Sequence, residues 1–326
     1  MRSLSLFRRA ANLSARLVRS LSLRTTTNRL ARLVRLARMA RLSRMARSLS
    51  IRTAAASLTI FLLTASGCGS VFKDVNVLSE ADEIALGRQF SREIEREIKL
   101  YQDPEVVRYV DGLCQALVLH SKRSNIPYYI KVVDTDEVNA FALPGGFLYV
   151  NRGLISISET EAELAGVIAH EIAHVVARHG AKALTRQLGL EIMLGMISGR
   201  NPTGVQRIAA QLAGIGGILS MLHHSREAER EADTLAVVNL REAGYDPEGL
   251  TGFFEKLLEI NDRDPGAFAT LFTTHPPSRE RIENTREQAA ALPVLEGLIT
   301  DSERFRQIKD LLPPLEKNPL EKEKAE

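Results

Sequence analysis

The segment His170-Glu171-Ile172-Ala173-His174 constrains the fold more than any other part of the chain. Residues four apart lie on the same face of an α-helix, so a helix here directs both imidazoles at one point. Two histidines with this spacing can bind a single tetrahedral zinc ion. Glu171 is rotated about 100° from His170, which places its carboxylate beside the open coordination position, where it can take a proton from water. The aliphatic residues on either side favour a buried helix.

A second segment, from Ser225 to Asp233, offers the acidic ligand that such a zinc site needs. Glu229 and Asp233 are four apart on a predicted helix, so both carboxylates share one face. A carboxylate completes a site of this kind, and an Asp one turn further on can orient a ligating histidine. Glu227 and Glu231 form an equivalent pair, and the spacing leaves the choice between Glu229 and Glu227 open.

Apolar periodicity predicts an α+β fold that is mostly helical, with one small sheet and the HExxH motif on a central helix. The first three predicted helices run from Ser79 to about Tyr101, from Pro104 onward, and from Ser158 to about Leu184, where Ser158 and Glu161 form a capping box. A further helix is predicted at 208–222, followed by a charged helix that ends at Gly244. The last two predicted helices run from Asp246 to about Asn261 and onward from Pro276-Pro277. The predicted strands are Tyr128–Val133 and a pair within Phe141–Val150 that turns at Pro144-Gly145-Gly146.

The net positive charge of the chain comes from its first 67 residues, which hold fourteen Arg and no Lys, Asp or Glu. The remainder has 29 basic and 40 acidic residues, a net charge of −11, which disfavours a nucleic-acid partner. Arg recurs at every third position from Arg29 to Arg47, so on a helix the charges would drift round the axis. We interpret residues 1–44 as a low-complexity prefix, which leaves the true translation start open.

Residues 45–67 have the pattern of a secretory signal, a short basic region followed by the apolar stretch 54–67. That stretch is too short to cross a bilayer core of about 30 Å. It ends directly before Cys68, and this arrangement resembles a bacterial lipoprotein signal, in which the cysteine is lipidated after cleavage. Gly69 directly follows this cysteine, which resembles the arrangement in lipoproteins that are sorted to the outer membrane. A plain secretory signal or a membrane anchor with an incidental cysteine is the alternative.

The sequences HEIAHVVARH (170–179) and SREAEREAD (225–233) together resemble the HtpX/BepA/LoiP/Oma-type zinc metallopeptidases, which are gluzincins. The resemblance covers residues 79 to about 285 and implies a zincin-like domain. Its layout is most similar to the LoiP-like outer-membrane lipoprotein peptidases. The predicted organisation is a linker at 68–78, a zinc metallopeptidase domain at 79–311 and a disordered tail at 312–326.

The resemblance also implies roles for particular residues. Glu229 corresponds to the family's third zinc ligand, with Asp233 as its partner. Asn139 and Ala140 match the edge strand that pairs with extended substrate, a mode of recognition that reads the peptide main chain. His275, in Thr274-His275-Pro276-Pro277, is expected either to be a latent fourth ligand or to donate to the transition-state oxyanion.

Three other histidines near these motifs are predicted not to bind the ion. His179 lies five residues after His174, about 140° round a regular helix, so it should not reach the same metal. His223 and His224 have no spacing that links them to the motif.

Taken together, the resemblance implies a zinc-dependent endopeptidase with one Zn²⁺ per chain, held in the periplasm at the outer membrane by a lipid. Its expected partners are unfolded or misassembled envelope proteins and the membrane, with no nucleic acid. The alternatives are a non-proteolytic assembly factor or chaperone with a latent zinc site, and an Oma-type membrane-anchored quality-control peptidase. Glu171 favours a peptidase, because a purely structural zinc site does not need it.

Overall fold

The computed structural model describes residue 76, residues 78–187 and 215–263, residue 271 and residues 274–316. The predicted signal segment with Cys68, and most of the predicted 208–222 helix, lie outside these residues. The described residues all belong to one unit, Lys73–Glu326. Within them, no helix has both the length and the apolar character needed to cross a membrane.

The described elements are mostly helices, as predicted, and one three-stranded sheet lies among them. The helices are α1 (Glu80–Ile94), α2 (Pro104–Leu119), α3 (Arg152–Ile157), α4 (Glu161–Val176), α5 (Ile215–Met221), α6 (Arg226–Glu242), α7 (Glu248–Arg263), α8 (Arg279–Ala291) and α9 (Glu303–Asp310). The strands are β1 (Tyr129–Val133), β2 (Ala140–Leu143) and β3 (Phe147–Asn151).

The sheet has the order β1-β3-β2, so β2 lies at an edge. β1 is parallel to β3, while β2 runs antiparallel to β3 and pairs Ala140 with Val150. The turn between β2 and β3 needs glycine, because Gly145 and Gly146 have φ values of 76° and 92°. The predicted strand pair and its turn are therefore confirmed.

Helix α4, which carries the HExxH motif, lies at the centre of the domain. All its residues except Val176 are buried, and it packs against α6, α7, α2 and β2. Close approach of α7 depends on glycine, since a Cβ on Gly249 would lie 2.4 Å from the carbonyl carbon of Ala162. The rigid neighbours on several sides fix the direction of the side chains that α4 presents.

Two predicted helices have wrong boundaries. Helix α1 begins after the Ser79 cap as predicted but ends at Ile94 rather than near Tyr101, because Leu100 forms an antiparallel bridge with Val133. The predicted 158–184 helix is broken into two, at residues 161–176 and 179–187. Ser158 ends the short helix α3, Thr160 caps α4 by accepting from the backbone of Glu163, and α4 ends at Val176.

The chain turns sharply after α4 and then resumes helical conformation at residues 179–187. Arg178 occupies the left-handed region with φ of 58°, which is unfavourable for a residue with a Cβ. Its side chain fixes the turn, because Nε donates to Glu83 Oε2 at 2.7 Å and Nη2 donates to the carbonyl of Leu78 at 2.8 Å. Glu83 is itself bound by Arg123, so a buried ion-pair network holds the end of the motif helix.

The segment 312–316, expected within the tail, contacts the domain instead. Leu312 and Leu315 pack against the main apolar core, and the backbone N–H of Glu316 donates to Asp136 Oδ2. The predicted tail as a whole is polar and proline-rich, but the two leucines within 312–316 give this part an apolar surface to bury. Residues 317–326 lie outside the described part of the chain.

Candidate metal centre

Four buried side chains converge at the centre of the domain: His170, His174, Glu229 and His275. One donor atom from each lies within 4.8 Å of the others. The two histidines of the motif come from α4, Glu229 from the first turn of α6, and His275 from the segment before α8. Histidine nitrogen and carboxylate oxygen are the donors that zinc prefers alongside cysteine sulfur.

Local sequence fixes the position of each donor. Ser225 caps α6 by accepting from the backbone N–H of Ala228, which starts the helix one turn before Glu229. Ser278 caps α8 in the same way, after the two prolines that follow His275. The capped N-termini of α6 and α8 therefore place Glu229 and His275 next to the histidines of α4.

Five of the donor separations, 3.0–3.5 Å, are close to those around a tetrahedral zinc ion. His170 Nε2 lies 3.0 Å from His174 Nε2 and 3.4 Å from Glu229 Oε2. His174 Nε2 is 3.5 Å from Glu229 Oε1. His275 Nδ1 is 3.2 Å from Glu229 Oε1 and 3.4 Å from His170 Nε2. Ligands held about 2.0–2.2 Å from a tetrahedral zinc are themselves about 3.3–3.6 Å apart.

The structure distinguishes Glu229 from Glu227, the alternative acidic ligand that helical spacing left open. Glu229 is 3% exposed and lies among the three histidines. Glu227 is exposed, and Glu231 contacts His179 rather than the four-residue group. The packing of α6 against α4 therefore turns the Glu229 face inward.

Asp233 and Arg281 form a charged support behind His170. Asp233 Oδ1 lies 3.0 Å from His170 Nδ1, the ring nitrogen opposite the one that faces the other donors. Arg281 donates to both oxygens of Asp233 at 2.7 Å, and its Nη1 is 3.0 Å from Glu229 Oε2. Its guanidinium carbon lies 4.3 Å from the centroid of the Phe254 ring. Sequence reasoning missed Arg281, which follows Pro276-Pro277 but has no helical spacing to the motifs.

Glu171 lies beside the four donors rather than among them, as its rotation on the helix predicts. It is 3% exposed, and its Oε1 is 3.5 Å from His275 Nε2. His275 thus has one ring nitrogen near the donor group and the other near Glu171. A carboxylate in this position can exchange protons with a group bound at the centre.

The charge states of the centre follow from burial and from the neighbouring groups. Burial disfavours the His170 cation, but Asp233 and Glu229 outweigh it and raise the pKa of His170 to about 9. Burial and the nearby His224 hold the pKa of His174 well below its usual value. Burial would raise the pKa of Glu229, yet the surrounding histidines hold that pKa well below its usual value. Glu229 is therefore ionised and His174 neutral, the forms that bind a metal, whereas a metal must displace the proton that the raised pKa of His170 favours.

Two of the histidines predicted not to bind the metal surround His174. His179 Nδ1 lies 2.9 Å from His174 Nδ1, and its Nε2 lies 3.2 Å from Glu231 Oε2. The His224 ring stacks on the His174 ring with centroids 4.0 Å apart. Burial lowers the pKa of both His179 and His224. Neither belongs to the four-residue group, but both contact one of its members.

The predicted substrate residues lie at the edge of the sheet. The carbonyl of Asn139 accepts from the backbone N–H of Asn151, and Ala140 begins β2. The side-chain oxygen of Asn139 is buried and has no hydrogen-bond partner among the described residues. A cavity of about 210 Å³ lies at the end of the sheet where β2 begins, and its lining includes Asn139, Phe141, Asn151 and Val133.

A larger cavity, of about 400 Å³, lies beside the donor group. It is bordered by Glu229, His224 and Arg281 on the side of the centre and by Pro276 and Arg226 elsewhere. A group of substrate size therefore has space next to the metal donors.

Comparison with known proteins identifies the family. The model of peptidase family M48 matches residues 102–289. The beta-barrel assembly-enhancing protease of Escherichia coli (strain K12) is 31% identical over 228 residues, which cover 66% of this chain and 45% of that protein. The chain thus spans about half the length of that relative. Metalloprotease YcaL of the same strain is 29% identical over 251 residues, covering 74% of this chain and 96% of that protein.

A mitochondrial protein is also similar to this chain. The mitochondrial metalloendopeptidase OMA1 of Arabidopsis thaliana is 34% identical over 175 residues, covering 53% of this chain and 34% of that protein. The family match includes the HExxH helix, the Glu229 helix and the His275 segment. These matches agree with the resemblance seen in the two motifs and with the buried donor group. The chain therefore belongs to peptidase family M48, with its zincin-like domain and a buried donor group that could hold a metal ion.

Proposed function

We propose that the protein is an endopeptidase of the bacterial periplasm, tethered to the outer membrane by a lipid on Cys68, that cleaves unfolded or misassembled envelope proteins. One observation carries the peptidase part: Glu171 is buried directly beside the four converging donors. The signal-like segment before Cys68 supports the tether. The name of the beta-barrel assembly-enhancing protease supports envelope substrates.

In this proposal His170, His174 and Glu229 hold the zinc ion, and Asp233 with Arg281 fixes the orientation of His170. When bound, zinc supplies Lewis-acid chemistry, which polarises the scissile carbonyl and makes water more acidic. Glu171 takes a proton from the attacking water and later delivers it to the leaving amine. The buried aliphatic residues around α4 exclude bulk water, which strengthens these charge interactions.

The β2 edge supplies a place for the substrate backbone. β2 has a strand partner on one side in the described sheet, and its four residues are buried, so an extended peptide can add along the other side once that side is uncovered. Strand addition binds main-chain groups and selects little between side chains. An unfolded segment satisfies this requirement, whereas a folded protein hides its backbone in its own secondary structure.

His275 fits a latch better than a catalytic donor in this geometry. Its Nδ1 occupies the fourth corner of the donor group, where a water molecule would be needed for hydrolysis. Displacing the His275 segment would free that corner and would also expose Glu171. We expect His275→Ala to raise peptidase activity, and a large loss of activity in this variant would instead make His275 a donor to the transition state.

The same four-donor arrangement favours one rival, a non-proteolytic assembly factor or chaperone. Structural zinc sites have four protein ligands, and the donor group here offers four. The rival gives no role to Glu171. Wild-type protein that binds zinc but leaves an unfolded casein-like substrate intact under all conditions tested would support it.

Glu171→Gln tests the peptidase proposal. The amide keeps the size of the side chain but cannot take up the proton, so zinc content should stay at one ion per chain while cleavage of a casein-like substrate is abolished. Glu242→Gln, an exposed position on α6, is the control and should cleave normally. Normal turnover by Glu171→Gln would refute the mechanism.

The tether has a separate test. Mass spectrometry of the mature N-terminus should find diacylglyceryl-Cys68 if the lipoprotein proposal is right. An unmodified terminus upstream of Cys68 would contradict it and favour the plain secretory signal or the membrane anchor.

A further inference from the structure

The surroundings of His174 contain a hydrogen-bond chain that the HExxH and ExxxD motifs do not account for. His174 Nε2 faces the other metal donors, and its second ring nitrogen, Nδ1, lies 2.9 Å from His179 Nδ1. The far nitrogen of His179, Nε2, lies 3.2 Å from Glu231 Oε2. Three side chains therefore form a line from the α6 surface to a proposed zinc ligand.

The direction of each hydrogen bond in this line is determined by the coordination chemistry. A neutral histidine that binds a metal through Nε2 carries its one ring proton on Nδ1. His174 Nδ1–H must then donate to His179 Nδ1, which accepts only if it carries no proton. His179 consequently holds its proton on Nε2, from which it donates to Glu231. With one tautomer of each ring, both hydrogen bonds that link His174, His179 and Glu231 have a donor and an acceptor.

The break in the motif helix places His179 in the line. In an unbroken helix, His179 would lie about 140° round the axis from His174. The left-handed turn at Arg178, with φ of 58°, redirects the chain, and Glu83 and the Leu78 carbonyl hold that turn through the Arg178 side chain. A non-glycine residue in this region is unfavourable, and such residues concentrate where a functional group must be positioned.

We infer that His179 is a positioning residue for the metal centre, which fixes the tautomer and ring orientation of His174 and is itself oriented by Glu231. The inference rests on the proposed role of His174 as a zinc ligand. It assigns to His174 the kind of support that Asp233 gives to His170, through a histidine instead of a carboxylate. Partners of ligating histidines commonly change metal affinity about 10–100-fold when they are removed.

Zinc affinity, measured with the purified full-length protein in competition with a chromogenic chelator, tests the inference. His179→Leu removes the acceptor at similar size and should bind zinc about 10–100-fold more weakly than wild type. His179→Asn places its Oδ1 where the imidazole Nδ1 was, so it should bind more tightly than the Leu variant. His120→Leu, at an exposed histidine, is the control and should bind like wild type.

The outcomes separate this inference from the proposed function. Wild-type protein that binds no zinc contradicts the proposed ligand set itself. If wild type binds zinc, then a Leu variant of equal affinity, or an Asn variant no tighter than Leu, overturns the role of His179 alone. Thermal unfolding of the metal-free variants checks that they are folded.

A measurement on the unmodified protein decides the question if the Leu variant does not fold. Nitrogen-15 NMR of zinc-bound wild type should show His179 protonated on Nε2 and bare on Nδ1. The opposite tautomer, with the proton on Nδ1, cannot accept from His174 and would overturn the inference.

Discussion

The two histidines of the motif lie one helical turn apart but have different surroundings. His170 contacts Asp233, which is buried and bound by the buried Arg281. His174 contacts His179 and His224, and the carboxylate at the end of its line, Glu231, is 52% exposed. The support of His170 is charged and buried, whereas that of His174 consists of two histidine rings and ends at an exposed carboxylate. Changes on the His170 side should therefore have the larger effects.

The largest effect is expected at Arg281. Arg281→Ala removes the guanidinium that binds the buried carboxylates of both Asp233 and Glu229, so the metal-free protein should lose about 3–5 kcal/mol of its free energy of unfolding. Urea unfolding measures this. The control is Arg286→Ala, on the same helix as Arg281, which breaks an exposed pair with Glu255 of α7 and should cost at most about 1 kcal/mol. Equal losses of unfolding free energy in the two variants would show that the buried Arg281 stabilises the protein no more than an exposed ion pair does.

A smaller effect is expected at Asp233. Asp233→Ala removes the group that faces His170 Nδ1, so zinc affinity should fall about 10–100-fold, as measured by chelator competition. The control is Thr234→Ala, at the next residue of α6, where the exposed hydroxyl donates to the carbonyl of Arg230; this variant should bind zinc normally. Unchanged affinity in the Asp233 variant would remove the distinction between the two histidines.

The smallest effect is expected on the His174 side, at His224. His224→Leu keeps an apolar side chain of similar size but removes the ring that stacks on His174, which should cost about 0.5–1.5 kcal/mol of the free energy of unfolding. His223→Leu, at the exposed neighbour, is the control. A loss in His224→Leu as large as that in Arg281→Ala would reverse the comparison.

Helical spacing was sufficient to predict which residues would come together on each helix. His170 with His174, and Glu229 with Asp233, are four apart, and the structure brings both pairs to one centre. Spacing could not choose between Glu229 and Glu227, because the face that α6 turns inward depends on its packing against α4. The fold class could be predicted for the same reason, since amphipathic periodicity is local.

The residues that sequence reasoning missed depend on tertiary structure. Arg281 lies 48 residues from Asp233 along the chain, so no local pattern joins them. The position of His179 depends on the left-handed turn at Arg178, and arginine is not a residue that signals such a turn. That turn is held by Glu83 from a different helix, which explains why a continuous helix to about Leu184 was the wrong prediction.

Diffraction at the zinc absorption edge tests the central claim most directly. Crystals of the zinc-loaded protein should give one anomalous peak per chain, within bonding distance of His170 Nε2, His174 Nε2 and a carboxylate oxygen of Glu229. A peak at another position, a peak ligated by Glu227 in place of Glu229, or no peak at the HExxH helix would contradict the account.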